Sequence, residues 1–316
     1  MNAVLKIEHL NKFFGSRQIL KDISLEMFSG EVYGFLGPNG AGKTTTIKIA
    51  VGMLSLDEGN INIGGFDMHK NFEAAMANIG GIVENPEFYK YLSGLDNLRQ
   101  YARMRTGVTE ARIREVVHLV GLDKRINDKV GKYSLGMRQR LGVAQAILHH
   151  PKVLILDEPT NGLDPAGIKE LRDILKNLAH EEDVGVLVSS HLMSEMELMC
   201  DRVGVIVNGV LIDEKPIAEL ISAAAPDKFD YVYWVSEPEA MIEKLDFITK
   251  ENIVNNGNGT VDIILSKDDG LATLSKINKL IIDNGIELYT VTPKQNKKLE
   301  DVFIELTNTA GGGQIA

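Results

Sequence analysis

Short apolar runs alternate with amphipathic stretches along the first two thirds of the chain. The runs VLKIEHL, EVYGFL, NINI, IGGIV, VLILDE, GVLVSS and VGVIVN read as strands. Several are apolar at nearly every position, as expected of strands covered on both faces of a mainly parallel sheet. Helical periodicity follows Gly42, runs through 93–120, and recurs at 135–150, 166–181 and 192–199. The stretch from about 86 to 150 reads as nearly all helical, a subdomain set between two strands. The pattern breaks at SAAAPDKFD, residues 222–230. A smaller unit follows, with strand YVYWVS, helix EAMIEKL, strands NIVNN and VDIILS, helix LATLSKINKLIIDNG, strand ELYTVT and helix KKLEDVFIELT. That βαββαβ order with one extra helix predicts a ferredoxin-like α+β domain. The expected division is therefore 1–224, with a helical subdomain at about 86–150, then 225–308, then a disordered tail at 309–316. No internal repeat is visible.

Composition narrows the class. The chain has 316 residues, 44% apolar and 25% charged, which suits a soluble globular protein of one large or two ordinary domains. No apolar run is long enough to span a bilayer, and the opening MNAVLKIEHLNKF lacks the charged-then-apolar pattern of a signal peptide. Cys200 is the only cysteine, so no internal disulfide forms, in keeping with a reducing cytosol; it reads as a small apolar filler. The net charge of −10, with no dense Lys/Arg stripe, argues against a nucleic-acid partner. It leaves open docking on an integral membrane protein.

Between EVYGFL and a helix starting near Gly42 lies GPNGAGKT, Gly37 to Thr44, matching the phosphate-loop pattern G-x-x-x-x-G-K-[ST]. The residues are Gly37, Pro38, Asn39, Gly40, Ala41, Gly42, Lys43 and Thr44. The glycines let backbone N–H groups curl around phosphate oxygens, and the helix N-terminus adds its positive dipole end. Lys43 suits the β- and γ-phosphates and the Thr44 hydroxyl suits Mg²⁺. Thr45 either touches the α-phosphate or only continues the helix.

VLILDE delivers Asp157 and Glu158 at the C-terminal end of a buried strand, where α/β sheets place ligands. Asp157 suits the Mg²⁺ shell, and Glu158 suits a base that orients or deprotonates the attacking water. His191 follows GVLVSS and is a candidate to contact the γ-phosphate or hold that water. Together these residues point to an ATPase using ATP and Mg²⁺, with Lys43, Glu158 and His191 as its catalytic set.

With these elements in this order, residues 1–224 resemble the ATP-binding subunits of ABC transporters. The resemblance rests on the phosphate loop, a signature at Ser134–Arg138, the LILDEP strand, the loop NGLD at 161–164, and His191. It implies a P-loop NTPase core with a mainly parallel sheet, an antiparallel β subdomain and a helical subdomain. It assigns Phe14, in KFFG, to stacking on adenine, although a core side chain on the first hairpin is the competing reading. The wording YSLGMRQRLGVAQAIL, then LDEPTNGLDPAGI, and the closing KLEDVFIELT are similar to exporters of peptide antibiotics such as bacitracin and lantibiotics, which often serve self-immunity or resistance. A separate transmembrane permease subunit is the implied partner, with the ATPase cytoplasmic and peripheral on the inner face of the membrane.

Two positions depart from the family pattern. The usual signature Leu-Ser-Gly-Gly-Gln is here Tyr133, Ser134, Leu135, Gly136, Met137. Ser134 and Gly136 keep a hydroxyl and a close-approach backbone N–H for a γ-phosphate. Where the family carries glutamine after the strand IGGIV, this chain has Glu84. An ionised glutamate only accepts hydrogen bonds, so Glu84 is expected either to face the metal or a bound water, or to be a solvated loop carboxylate. The aromatics Phe88, Tyr89 and Tyr91 just beyond it suit either a permease groove or packing under the helical subdomain.

Phosphate loop and signature are far apart in sequence. The resemblance implies a head-to-tail dimer in which Ser134 of one copy caps ATP held by Lys43 of the other, with Asp164 at the seam. Asp164 also reads as a helix N-cap. The competing functions are a soluble non-transport ABC ATPase and a non-hydrolytic nucleotide sensor. The smaller unit could regulate, dimerise or meet the membrane partner.

Overall fold

The computed structural model describes residues 3–223, 228–266, 270–293, 299–300 and 303. The chain divides into two compact units, one reaching Ala218 and the other running from Glu219 to Val302.

The first unit starts with two long strands, β1 (Ala3–Phe14) and β2 (Arg17–Phe28), then β3 (Val32–Leu36), which is buried at all five positions. Next come α1 (Lys43–Ala50), β4 (Glu58–Ile63), β5 (Phe66–Asp67), α2 (Phe72–Ala77) and β6 (Ile79–Ile82). The helices α3 (Gly94–Ala102), α4 (Glu110–Leu119) and α5 (Leu135–Ala146) follow before the chain re-enters the sheet as β7 (Val153–Asp157). It then runs through α6 (Pro165–His180), β8 (Gly185–Ser190), α7 (Met193–Met199), β9 (Arg202–Val207) and β10 (Val210–Pro216), and the division between the units falls within α8 (Ile217–Ala223).

Six strands form one sheet in the order β10-β9-β3-β8-β7-β6. Its strands are parallel from β9 to β6, and β10 closes one edge antiparallel to β9. A second, antiparallel sheet has the order β2-β1-β4-β5. The apolar faces of both sheets and of α1 share one core, with Leu5, Ile7, Leu20, Tyr33, Phe35, Ile47 and Ile155 in it. Full burial of each such aliphatic side chain contributes about 1.5–3 kcal/mol.

Three sequence expectations need correction. RQILKDISLEMF is absent from the expected strands, yet it forms β2, with clean alternation only at Ile23, Leu25 and Met27. Bulges around His9 and Asp22, both with positive φ, shift its register on β1 and break the two-residue period. The run at 93–120 is two helices, because the chain turns at Gly107 (φ 85°) and restarts at Thr109, whose hydroxyl accepts the Arg112 N–H. The segment 86–150 is also less helical than its polarity pattern suggests. Non-helical chain fills 103–109, and between Val120 and Ser134 only Val130–Lys132 makes a 3₁₀ turn.

In the second unit the elements are β11 (Lys228–Val235), α9 (Pro238–Lys244), β12 (Ile253–Asn255), β13 (Thr260–Ser266), α10 (Gly270–Asp283) and β14 (Leu288–Pro293). The sheet order is β12-β13-β11-β14 with every neighbouring pair antiparallel. This is the arrangement of a split βαβ motif. Its own core includes Tyr233, Met241, Ile263 and Ile281. The further helix expected at KKLEDVFIELT and the tail at 309–316 lie outside the described residues, apart from Leu299, Glu300 and Phe303.

Candidate active site

Three neighbouring parallel strands end on one edge of the large sheet, and each contributes functional residues. In register, Leu36 of β3 lies beside Ser190 of β8, and Asp157 of β7 lies beside Ser189 of β8. The loop after β3, the acid pair ending β7 and the Ser-Ser-His ending β8 therefore meet at the carboxyl edge.

The loop Gly37–Thr44 needs glycine at three points, the first being Gly40 with φ 78°. Gly42 stands at the α1 N-terminus with φ 117°, a left-handed conformation that L side chains rarely adopt. At Gly37 a Cβ would run into the Ile206 backbone carbonyl of β9. The Lys43 side chain folds back across the loop. Its ammonium donates to the Gly37 carbonyl at 2.6 Å and to the Pro38 carbonyl at 3.3 Å, and lies 3.8 Å from Glu158 Oε1. Burial pushes the Lys43 pKa down, while the charges of Glu158 and then Asp157 oppose the shift.

Asp157 is buried, and the Ser189 hydroxyl donates to its Oδ1 at 2.6 Å. Glu158 leaves the strand with φ 49°. Its N–H donates to Ser189 Oγ at 2.9 Å, and its Oε2 is 2.7 Å from His191 Nδ1. Lys43, Glu158 and His191 thus form one connected cluster.

A cavity of ≈ 500 Å³ opens over this cluster. Of the residues expected from sequence, Phe14, Pro38, Asn39, Gly40, Gly42, Lys43, Thr44, Thr45, Glu158 and His191 line it. Gly37, Ala41 and Asp157 are not among its lining residues. Phe14 is half-exposed on the rim, so it is not a core side chain. Arg17, Ile19 and Asn161 also line the cavity and were missed. Arg17 and Ile19 belong to β2, the strand absent from the sequence expectation; the usable signal was a basic residue three positions after Phe14.

Four expected residues are not brought to this cavity. Glu84 sits after β6 with φ 66°, largely exposed, and its carboxylate pairs with Lys48 Nζ at 3.0 Å. In this geometry Glu84 faces a lysine of α1, not a metal position. Ser134 caps α5, accepting the Met137 N–H at 3.2 Å. Gly136 lies in the first turn of the same helix, and Asp164 caps α6 by accepting the Gly167 N–H at 3.1 Å.

The donors fit Mg²⁺. Thr44 offers a hydroxyl on the cavity wall, and Asp157 offers a carboxylate with one oxygen engaged by Ser189. Hard oxygen ligands in small number, completed by substrate phosphate and water, are what Mg²⁺ takes.

Fold and cluster define a P-loop ATPase: a phosphate loop between strand and helix, with an acid pair whose Glu158 lies between the loop lysine and a histidine. Residues 20–161 match the family model described as ABC transporter. The chain is 48% identical over 307 residues to an uncharacterized ABC transporter ATP-binding protein, YhcH of Bacillus subtilis (strain 168), covering 97% of each. It is 38% identical over 315 residues to the bacitracin transport ATP-binding protein BcrA of Bacillus licheniformis, covering 100% of each. Among solved structures, cbiO1 of Clostridium perfringens, part of the ABC transporter complex cbiONQ, superposes with a TM-score of 0.65 at 26% identity, over 70% of this chain and 92% of that one. The chain belongs to the ABC transporter family as an ATP-binding, ATP-hydrolysing subunit. Subunits of this kind work with membrane permease partners, and no helix among the described residues is long and apolar enough to cross a membrane.

Proposed function

We propose that this subunit powers export of a peptide antibiotic, lantibiotic or other drug through a separate transmembrane permease, giving the cell self-immunity or resistance. The observation that carries this reading is the end-to-end similarity to a bacitracin transport ATP-binding protein, which includes the second unit as well as the ATPase core. The subunit would work on the cytoplasmic face of the membrane, held there by its partner.

In this reading Phe14 stacks on adenine and the loop Gly37–Thr44 wraps the phosphates. Lys43 moves its ammonium from the Gly37 carbonyl to the β- and γ-phosphates. Thr44 and Asp157 hold Mg²⁺, which supplies charge neutralisation at the phosphates. Glu158 orients the attacking water and takes its proton, and His191 fixes the Glu158 carboxylate from the side away from Lys43. Two copies close head to tail, so that Ser134 and Gly136 at the α5 N-terminus of one meet the γ-phosphate held by the other. Asp164 lies at that seam. ATP binds the closed pair better than the open one, and hydrolysis releases it.

The test is drug resistance in a sensitive host. Co-expression with the cognate permease is expected to raise the inhibitory concentration of bacitracin or a lantibiotic, and Glu158→Gln is expected to abolish that rise. Resistance unchanged by the permease pair across both drug classes refutes the export reading.

A further inference from the structure

Among the residues of β8, Ser189 stands out by its surroundings. The strand is GVLVSS, buried at every position, and Ser189 is fully buried. An apolar side chain would pack there without cost, whereas a buried hydroxyl costs about 1–3 kcal/mol unless it is hydrogen-bonded. Ser189 has both its donor and its acceptor engaged, and both partners belong to the acid pair. The hydroxyl hydrogen goes to Asp157 Oδ1 at 2.6 Å, and the oxygen receives the Glu158 N–H at 2.9 Å.

The second bond has a geometric cause. At Glu158 the chain turns to φ 49°, out of β geometry. The pairing of β7 with β8 ends at Asp157 beside Ser189, so the Glu158 amide has no ladder partner. A non-glycine residue in the left-handed region carries strain of about 1–2 kcal/mol and persists only when its surroundings fix it. The Ser189 oxygen is the group that receives the displaced amide. His191, two residues further along the same chain, engages the Glu158 carboxylate at 2.7 Å. The end of β8 thus grips Glu158 at its backbone and at its side chain.

We propose that Ser189 is a positioning residue for hydrolysis: it ties the two residues of the acid pair together by bonding the side chain of Asp157 and the backbone of Glu158. This rests on the reading in which Glu158 acts on the attacking water. Asp157 is left one oxygen for its own task, and Glu158 is held at the angle that meets His191. Thr160, three residues beyond Asp157, shows the contrast: its buried hydroxyl has no partner among the described residues and could be replaced without loosening the pair.

The decisive experiment compares Ser189→Thr with Ser189→Val in the full-length chain. Threonine and valine have nearly the same shape and differ by the hydroxyl, so packing strain is common to both. ATP turnover and ATP KM are measured for both, with Ser189→Ala as a smaller variant and thermal melting as a check on folding. The expected result is that Ser189→Val turns over about 10- to 100-fold more slowly than Ser189→Thr, with ATP KM within about threefold, because misplacing a catalytic group costs rate and not binding. Ser189→Ala is expected to follow Ser189→Val. Equal kcat for the threonine and valine variants overturns the proposal. So does a loss confined to KM. Glu158→Gln in parallel separates the two levels. If it is inactive while valine and threonine match, Ser189 has no positioning role and Glu158 keeps its own. If Glu158→Gln turns over at the wild-type rate, the assignment of Glu158 itself fails.

Discussion

Lys43 is the residue on which nucleotide binding depends most directly. Its ammonium is buried and held by two loop carbonyls, ready to exchange them for phosphate oxygens. Hydrogen bonds to charged partners contribute about 1.5–3 kcal/mol each, so Lys43→Ala should weaken ATP binding by roughly 10- to 100-fold, measured by calorimetry. Arg17, the cationic cavity residue missed in the sequence, should act on binding alone. We expect Arg17→Ala to raise ATP KM several-fold and leave kcat at saturation nearly unchanged; a fall in kcat with constant KM contradicts that assignment. The difference in legibility between the two residues is physical. Lys43 lies in a contiguous motif whose spacing is dictated by one turn of chain around phosphates. Arg17 reaches the same cavity from a bulged hairpin, and Asn161 from the turn after β7, so their role exists only after folding. Ser189 was hidden for a related reason: VSS reads as the end of a strand, and its partners lie on the neighbouring strand.

Elements were most legible where burial was two-sided. β3, β7 and β8 are buried throughout and stand as apolar runs in the sequence. β2 and β10 pair on one side or at an edge, carry mixed polarity, and hold no period over their full length. Two contacts between elements lead to stability predictions. β6 lies so close to the end of α5 that a Cβ on Gly80 would collide with the Ala146 carbonyl, which is backbone and cannot swing away. Gly80→Ala should destabilise by about 1–3 kcal/mol, read as a lower denaturant midpoint. At the other edge, Arg202 of β9 bridges Glu31 at 2.9 Å and Glu214 of β10 at 2.7 Å, and its guanidinium packs over Phe28 and Tyr33. Burial holds the Glu214 carboxyl above its ordinary range, and Arg202 opposes that shift. Removing Arg202 leaves the buried Glu31 carboxylate and the half-buried Glu214 carboxylate without their shared cation. Arg202→Met should cost about 2–4 kcal/mol and lower Tm, and adding Glu214→Gln should recover part of the loss.

At the scale of the whole molecule, the cavity collects the residues that bind and attack ATP, whereas Ser134 and Asp164 cap helices and do not line it. The proposed head-to-tail pair makes this separation meaningful, and a mixing experiment tests it. Chains carrying Lys43→Ala and chains carrying Ser134→Arg should each be inactive alone. Their mixed dimer has one site with both defects and one site intact, so the mixture should recover turnover. No recovery at any mixing ratio, with both variants folded, sinks the shared-site arrangement. The sequence predicts a division near 224, where hydrophobic period and composition change; the compact units divide at Ala218. The sequence could not show the fate of Glu84, whose pairing with Lys48 depends on α1 and the turn after β6 lying side by side. The second unit carries its own optical probe. The chain has a single tryptophan, Trp234 of β11, half-exposed with its ring edge-on to Tyr289 at 5.3 Å. Every ATP-binding residue named above lies outside that unit. Emission selectively excited from the indole is therefore a label carried by the accessory unit alone, and a change in its colour on adding ATP would time the arrival of the signal in that unit without any dye or engineered probe.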